Sequence, residues 1–231
     1  FLQQRERLRR EFTANVSHEL KTPLQSIIGS AELLENGLVK PEDQPRFLNR
    51  IHQEADRLVA LINDILRLSQ LDEGGALPHE QVSVLELAQE AACSLTAQAA
   101  AQAVHISVTG TAGTVFGVRR LLYEIARNLC ENAVKYNVPG GSVTVEVTET
   151  DRDVALLVRD TGIGIPERDQ SRVFERFYRV DKSHSRAIGG TGLGLSIVKH
   201  AVAYHHGTLR LESQPGKGTV ITVTLPKKPT E

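Results

Sequence analysis

One histidine, His18, stands between a serine and a glutamate in the stretch FTANVSHELKTPL, which has helical periodicity. Apolar residues recur at three- and four-residue steps on the opposite side of this helix, so we expect the imidazole to face solvent. An exposed neutral imidazole can accept a phosphoryl group, and an adjacent carboxylate such as Glu19 can orient the ring and take its proton. An ordinary surface histidine is the alternative, and the residues around His18 leave both interpretations open.

A second helix, in the stretch LLYEIARNLCENAVKY, carries a polar face on which an acid, two amides and a lysine recur at steps of three and four: Glu124, Asn128, Asn132 and Lys135. Amide and carboxylate oxygens in this arrangement can hold a hydrated Mg²⁺ and steer phosphates, and Lys135 adds positive charge. A solvated helix face is the alternative, although two asparagines inside a helix disfavour helix formation.

An aspartate, Asp160, ends an apolar strand and leads into the glycine-containing turn RDTGIGIP. A carboxylate at a strand end can accept a hydrogen bond from an exocyclic amine such as that of adenine. Gly162 and Gly164 would let the backbone approach a ligand closely. Asp-Gly pairs also simply make turns, so this signal by itself leaves a plain turn open.

Three further glycines, Gly190, Gly192 and Gly194, open a helix in GGTGLGLSIVKH. Backbone N–H groups at a helix start suit an anion. The G-x-G-x-G spacing fits neither a Walker phosphate loop nor the dinucleotide fingerprint. Residues 165–189, which contain FERFYR, separate the two glycine clusters, and a segment of this length is predicted to be a lid over a ligand.

Two kinds of domain must position these residues. Residues 3–37 and a second helix with heptad-spaced apolar residues predict an all-α antiparallel hairpin, which would bury its faces as a dimeric four-helix bundle. A hairpin packed only on its own chain is the alternative. The turn-rich DEGGALP indicates a domain boundary, with the hairpin over 1–74, a linker over 75–79 and a second domain over 80–231.

In the second domain, mixed strand and helix signals predict an α+β sandwich with helices covering one face of a mixed sheet. The expected strands are 81–84, 104–109, 114–116, 142–149, 154–159, 208–213 and 219–225, and the expected helices are 85–102, 118–136 and 193–206. Cys93 and Cys130 fall within these helices and are predicted to be reduced, buried thiols. The pair His205 and His206 is predicted to be polar surface.

Composition disfavours several classes of protein. A formal net charge of −1 disfavours nucleic acid as a partner, because binding along phosphates normally needs a basic excess. No apolar run approaches the roughly 20 residues that span a bilayer, and no signal-peptide pattern is present. The chain begins at Phe1 and contains no methionine, from which we expect a piece of a longer protein. RERLRRE near the start is interpreted either as an extension from an upstream sensor or membrane segment, or as a solvated helix face.

Five motifs, taken in this order, resemble those of bacterial two-component sensor histidine kinases: the His box, the Asn helix, the Asp-Gly turn, the Phe-Arg-Phe lid and the glycine helix cap. The resemblance covers essentially the whole chain, as a dimerisation and phosphoacceptor hairpin followed by a Bergerat-type ATP-binding domain of the superfamily shared with gyrase, Hsp90 and MutL. ERFYRVDKSHSR and ENAVKYNVPGG look most like phosphate-regulon-type sensors. An ATPase acting as a conformational machine and a non-catalytic dimerisation scaffold are the alternatives.

The resemblance implies that His18 is phosphorylated from ATP and that the phosphoryl group passes to an aspartate of a response regulator. It implies that Glu19 activates His18, and that Thr22 orients water when the regulator is dephosphorylated. It also implies a homodimer through the hairpin. The full-length protein would be a membrane-anchored sensor, of which this chain is the cytoplasmic portion.

For the second domain, the resemblance implies that ATP and Mg²⁺ bind together. Asn132 is the implied Mg²⁺ ligand, supported by Glu124 and Asn128, and Asp160 is expected to bind the adenine amine. The lid residues would meet the γ-phosphate or the hairpin, and Thr219 would back the adenine pocket. The other implied nucleotide contacts are Lys135, Tyr136, Gly162, Gly164, Arg176, Phe177, Gly190, Thr191, Gly192, Leu193 and Gly194.

Overall fold

The computed structural model describes residues 2–72, 77–180 and 190–228, and it describes side chains from residue 12 onward except at 70–72. The chain forms two compact units: the first comprises the described residues up to Arg67 together with Gly190 and Thr191, and the second comprises the remaining described residues. The first is a helical hairpin and the second an α/β unit, which confirms the predicted fold class. The predicted linker 75–79 falls partly outside the described residues, as does the end of the predicted lid, 181–189.

The hairpin consists of α1 (Leu2–Glu35) and α2 (Gln44–Asp72). Gly37 ends the first helix in a left-handed conformation, with φ of 63°. The N–H of Leu38 then donates to the carbonyl of Leu33 at 3.0 Å, which satisfies one of the last free carbonyls of the helix. None of the helices in the described ranges is long and apolar enough to cross a bilayer.

The α/β unit contains a five-stranded mixed sheet and a separate two-stranded ribbon. The ribbon pairs β1 (Glu80–Ser83) with β3 (Thr114–Gly117). The strands of the sheet are β2 (His105–Gly110), β4 (Ser142–Glu149), β5 (Asp153–Asp160), β6 (Thr208–Gln214) and β7 (Gly218–Pro226). Their order in the sheet is β2-β4-β5-β7-β6. Only the β2–β4 pair is parallel among these described strands, so the predicted mixed sheet is confirmed.

Helices supply the other layer of this unit: α3 (Val84–Ser94), α4 (Thr96–Ala101), α5 (Arg119–Lys135), α6 (Glu167–Gln170) and α7 (Gly194–Tyr204). The core lies between sheet and helices. Alternation along β4 places Val143, Val145 and Val147 in it with no exposed surface, and Leu129 and Val134 contribute from α5. This packing holds α5, which carries the Asn residues, firmly against the sheet.

The prediction of one helix over 85–102 is wrong, because the chain forms α3 and α4 with a break at Leu95. The hydroxyl of Ser94 donates to the carbonyl of Ala91 at 2.7 Å, and the hydroxyl of Thr96 donates to the carbonyl of Cys93 at 2.9 Å. Hydroxyl groups that bond to the local backbone compete with the helical ladder. The break therefore lies between the two hydroxyl residues.

The prediction of two buried thiols holds for Cys130 and is wrong for Cys93, which is exposed. Burial raises the pKa of the Cys130 thiol to about 12. The buried side of α3 is taken by Leu87, Ala88 and Ala91, and Cys93 lies outside that stripe. A short helix with small residues on several faces does not reveal from its sequence which face is covered.

His205 is buried, with 8% of its surface exposed, so the prediction of a surface pair is wrong for this residue. Its Nδ1 donates to the carbonyl of Ala201 at 2.7 Å, and its Nε2 accepts the N–H of Val118 at 3.0 Å. The ring thereby joins the end of α7 to the start of α5. Gly117 makes room for it, because a Cβ there would lie 2.7 Å from the ring carbon Cδ2 of His205.

We expect acid to destabilise the α/β unit through His205. Burial lowers the pKa of this imidazole, and His79 and His206 lower it further, against the hydrogen bond to Ala201 that raises it. A histidine whose folded pKa lies below its unfolded value contributes stability above the unfolded pKa of about 6.5, and that stability is lost as the pH falls through the folded pKa. Urea unfolding at a series of pH values should show this decline, and His205→Gln should flatten it.

His105→Gln is the matched control for this experiment, because His105 is an exposed histidine of the same unit. It should keep the wild-type dependence of unfolding free energy on pH. An unchanged dependence in His205→Gln would show that other groups cause the decline.

Candidate functional site

His18 lies on the exposed side of α1, with 73% of its side chain accessible to solvent. Its Nδ1 is 3.9 Å from Oε1 of Glu19, and Oε2 of Glu19 is 3.7 Å from Arg57 of α2. The hydroxyl of Thr22 donates to the carbonyl of His18 at 3.2 Å. The predicted catalytic residues therefore share one stretch of surface, with Arg57 as a charged neighbour that the sequence interpretation missed.

The Asn residues of α5 face the first residue of α7. The amide nitrogen of Asn128 donates to the carbonyl of Glu124 at 2.8 Å and lies 3.4 Å from its carboxylate, which is buried. A Cβ on Gly194 would lie 2.7 Å from Oδ1 of Asn128 and 3.9 Å from Nδ2 of Asn132. The predicted Asn helix and glycine helix cap thus meet, and a glycine at this position permits the close approach.

Gly192 connects the glycine cap to the lid. The N–H of Phe177 donates to the carbonyl of Gly192 at 2.9 Å. A Cβ on Gly192, which has φ of 74°, would lie 3.0 Å from the Cα of Phe177. Leu193 is fully buried, whereas Gly190 and Thr191 are half-buried in the segment just before it.

The carboxyl end of α5 carries Lys135 and, immediately after the helix, Tyr136, both half-buried. Burial raises the pKa of the Tyr136 hydroxyl, whereas the positive charge of Arg179 lowers it. Arg179 belongs to FERFYR, but the sequence interpretation selected Arg176 from that motif instead. Arg176 lies with its Nη2 3.2 Å from Nε2 of His200 on α7. Arg179 is therefore an additional candidate for charge near the nucleotide.

Asp160 lies at the end of β5, where the sequence predicted it. Its Oδ1 accepts two backbone hydrogen bonds, from Gly162 at 2.8 Å and from Thr219 at 3.1 Å. Burial raises the pKa of this carboxyl, and the two N–H donors oppose the rise. No hydrogen bond found within the described ranges uses Oδ2, so this oxygen can accept a donor from a ligand.

Gly162 and Gly164, which follow Asp160, lie so close to other backbone segments that neither position has room for a Cβ. A Cβ on Gly162 would collide with the carbonyl of Tyr136, and one on Gly164, at φ of 68°, would collide with the carbonyl of Gln214. The loop after Asp160 therefore packs directly on the end of α5 and on the β6–β7 turn.

We expect Gly164→Ala to destabilise the α/β unit by more than about 3 kcal/mol, because overpacking against backbone adds to the cost of a left-handed residue. Gly216→Ala is the matched control, since Gly216 has φ of 75° and nothing within 4 Å of an added Cβ. It should cost only about 1–2 kcal/mol for the left-handed backbone. Urea unfolding measures both, and equal losses would show that backbone strain alone sets the requirement at Gly164.

A helix-covered mixed sheet, with an asparagine-bearing helix facing a glycine-opened helix, defines the ATP-binding domains that histidine kinases share with gyrase B and Hsp90. Residues 117–229 match the family described as histidine kinase-, DNA gyrase B-, and HSP90-like ATPase, which implies ATP binding. Residues 8–74 match the His Kinase A (phospho-acceptor) domain.

The chain belongs to the sensor histidine kinases, which confirms the resemblance inferred from its motifs. It is 42% identical over 228 residues to the sensor-like histidine kinase SenX3 of Mycolicibacterium smegmatis, and 37% identical over 234 residues to the sensor histidine kinase WalK of Bacillus subtilis. These alignments cover 97% and 95% of this chain, but only 59% and 37% of the two relatives. The chain therefore spans little more than half of the first relative and less of the second.

Solved structures agree with this membership. The mycobacterial sensor histidine kinase MprB is 33% identical with a TM-score of 0.57, over 66% of this chain and all of that one. The histidine kinase ThkA, solved in complex with the response regulator TrrA, has a TM-score of 0.78 over 98% of this chain and 64% of that one. At 23% identity this second likeness supports the fold alone.

Proposed function

We propose that the protein containing this chain transfers the γ-phosphoryl group of ATP to His18 and then to an aspartate of a response regulator. One observation carries the proposal: a solvent-exposed His18 beside Glu19, in a phosphoacceptor domain that is joined to an ATP-binding domain. Regulator dephosphorylation, with Thr22 orienting water, is proposed as a second activity of the same surface.

The transfer step follows from the position of Glu19. Its carboxylate is nearest to Nδ1 of His18, at 3.9 Å, so a small rotation would let it accept the Nδ1 proton and leave the Nε2 lone pair free. Nε2 attacks the γ-phosphorus, the bond to the bridging oxygen breaks, and ADP leaves with that electron pair. As the Nε2 lone pair forms the new bond to phosphorus, Glu19 takes the proton from Nδ1. Positioning and charge neutralisation supply most of the rate enhancement of such transfers.

We propose that Asp160 holds the base of ATP by accepting the adenine amine on Oδ2. Gly162 and Gly164 bring the loop close to the base, and Thr219 fixes Oδ1 of the carboxylate through its N–H at 3.1 Å. Tyr136, whose carbonyl accepts the N–H of Ile163 at 3.1 Å, ties the same loop to the end of α5.

We propose that the phosphates lie between α5 and the start of α7. Asn128 and Asn132 face Gly194 there, and N–H groups at a helix start attract anions. Lys135 supplies positive charge from the end of α5. The other proposed contacts lie in the lid and in the segment before α7: Arg176, Phe177, Gly190, Thr191, Gly192 and Leu193.

The proposed metal is Mg²⁺. No three His, Cys, Asp or Glu side chains converge anywhere in the part of the chain that the structure describes. Oxygens of Asn132, Asn128 and Glu124 on α5 are the proposed ligands, and they suit Mg²⁺ because this ion prefers oxygen ligands and is bound through a few protein side chains together with phosphates and water. When bound, Mg²⁺ would neutralise charge on the phosphates, and the buried Glu124 would hold Asn128 in place.

We propose a homodimer through the hairpin. Several large apolar residues of the hairpin remain 46–60% exposed in one chain: Leu24, Ile28, Val59, Ile62 and Leu66. A second copy would cover them as a four-helix bundle. The mass of the chain in solution tests this, since a monomer at micromolar concentration would exclude it.

The proposed second partner is a response regulator receiver domain on the exposed hairpin surface near His18. The histidine kinase ThkA, whose fold this chain shares, was solved in complex with the response regulator TrrA. No nucleic acid partner is proposed.

We propose that this chain is the cytoplasmic portion of a membrane-anchored sensor, because its relatives are named sensor kinases. The finer phosphate-regulon subtype stays a prediction.

The test is incubation of the chain with γ-labelled ATP and Mg²⁺, with EDTA as the control. A phosphohistidine label is lost in acid and retained in alkali. Nucleotide binding without label would favour the ATPase acting as a conformational machine, and failure to bind nucleotide would favour the dimerisation scaffold.

A further inference from the structure

Ser213 of β6 joins its own strand to two other backbone segments near Asp160 through a single hydroxyl group. Its Oγ donates to the carbonyl of Gly218 at 2.9 Å and accepts the N–H of Ile165 at 2.8 Å. The hydroxyl of Thr219 lies 2.9 Å away. Because the one hydrogen of Ser213 is committed to Gly218, Thr219 is the donor in this last contact, and the full hydrogen-bonding capacity of Ser213 is used.

The loop that follows Asp160 is also held by a second side chain. The amide of Gln170, at the end of α6, donates to the carbonyl of Ile165 at 3.0 Å and to the carbonyl of Ser213 at 2.9 Å. Ile165 is therefore bound through its N–H by the Ser213 side chain and through its carbonyl by Gln170. The loop cannot shift without breaking both contacts.

We propose that Ser213 is a positioning residue that sets the rotation of the Asp160 carboxylate for the adenine amine. Ser213 holds Thr219, whose N–H donates to Oδ1 of Asp160, and it holds the loop from which Gly162 donates to the same oxygen. Two donors on Oδ1 leave Oδ2 as the oxygen for the ligand. The inference rests on the proposed function, in which Asp160 binds that amine.

The test compares two nucleotides that differ only in the exocyclic amine, ADP and purine riboside diphosphate. Ser213→Ala removes the hydroxyl without adding atoms, and it leaves the N–H of Ile165 and the hydroxyl of Thr219 without their acceptor. We expect the Kd for ADP to rise about tenfold, because a misplaced charged acceptor loses a hydrogen bond. The Kd for purine riboside diphosphate should change less than about twofold, because this ligand has no amine to lose. Isothermal titration calorimetry on the 231-residue chain measures both.

Ser213→Thr keeps the hydroxyl and should restore ADP binding to near the wild-type value. Thr208→Ala changes an exposed residue at the other end of the same strand and is the matched control. If Ser213→Ala does not fold, Gln170→Ala tests the same link, since it releases Ile165 while the Ser213 hydroxyl stays in place. It should show the same selective loss for ADP.

An equal loss of affinity for both nucleotides, or no loss for either, would overturn the positioning role. A serine with a purely structural role would not affect the two nucleotides differently. Failure of the wild-type chain to bind ADP is a different result, and it would overturn the proposed function together with this inference. If the wild-type chain binds ADP and purine riboside diphosphate with the same Kd, Asp160 does not bind the amine as proposed.

Discussion

Replacing His18 with glutamine should abolish labelling of the chain by γ-labelled ATP under conditions in which the wild-type chain is labelled. We expect a loss of about a thousandfold or more, because the amide nitrogen of glutamine is not nucleophilic whereas a neutral imidazole nitrogen is. The helix should be unaffected, since the His18 side chain is 73% exposed. Acid-labile label per chain is the measurement.

His52→Gln is the matched control, because His52 is an exposed histidine on α2 of the same hairpin. It should retain wild-type labelling. ADP affinity in His18→Gln should stay within about twofold of wild type, because the substitution leaves every contact of the α/β unit unchanged. Label that persists in His18→Gln would place the phosphoacceptor elsewhere, and label lost in His52→Gln would indicate a disturbed hairpin.

Asp160→Asn should weaken ADP binding by about a hundredfold or more, because a site built to accept a hydrogen bond rejects a ligand that meets a donor instead. The asparagine oxygen can still accept the N–H groups of Gly162 and Thr219, so the loop should keep its conformation. Its Nδ2 then takes the place of Oδ2 and faces the adenine amine, donor against donor. Calorimetric titration with ADP gives the loss, and thermal unfolding shows that the unit stays folded.

Asp153→Asn, at the opposite end of the same strand, is the control and should leave ADP binding unchanged. Inosine diphosphate supplies a second comparison, because its carbonyl can accept from the new amide. Its affinity for Asp160→Asn should therefore exceed that of ADP. Wild-type ADP affinity in Asp160→Asn would remove Asp160 from the base-binding site.

Much of the fold followed from periodicity and turn residues. The heptad spacing of apolar residues in α2 and their alternation in β4 and β5 indicate which side chains are buried. The hairpin and the sheet were therefore both predictable. The break at Leu95 was not, since its cause is a local competition between hydroxyls and the helical ladder in a segment otherwise favourable for helix. The surface position of His18 was predictable because its helix has one clear apolar stripe.

Some features depend on which segments meet, and the sequence of one segment does not contain that information. His205 is buried because α7 ends against the start of α5 and Gly117 leaves space for the ring. The face-to-face approach of Asn128 and Gly194, which lie far apart in the sequence, likewise depends on packing of α5 against α7.

By itself, the sequence determined the order of motifs, the helical hairpin, the mixed sheet and the chemical types of the candidate phosphoacceptor and nucleotide residues, because each depends on local spacing and side-chain chemistry. Only the tertiary structure decided that two N–H groups occupy one oxygen of Asp160 and that Ser213 holds both of their segments. Hydrogen bonds between distant segments form only when packing brings donor and acceptor within about 3 Å, and no local pattern encodes that distance.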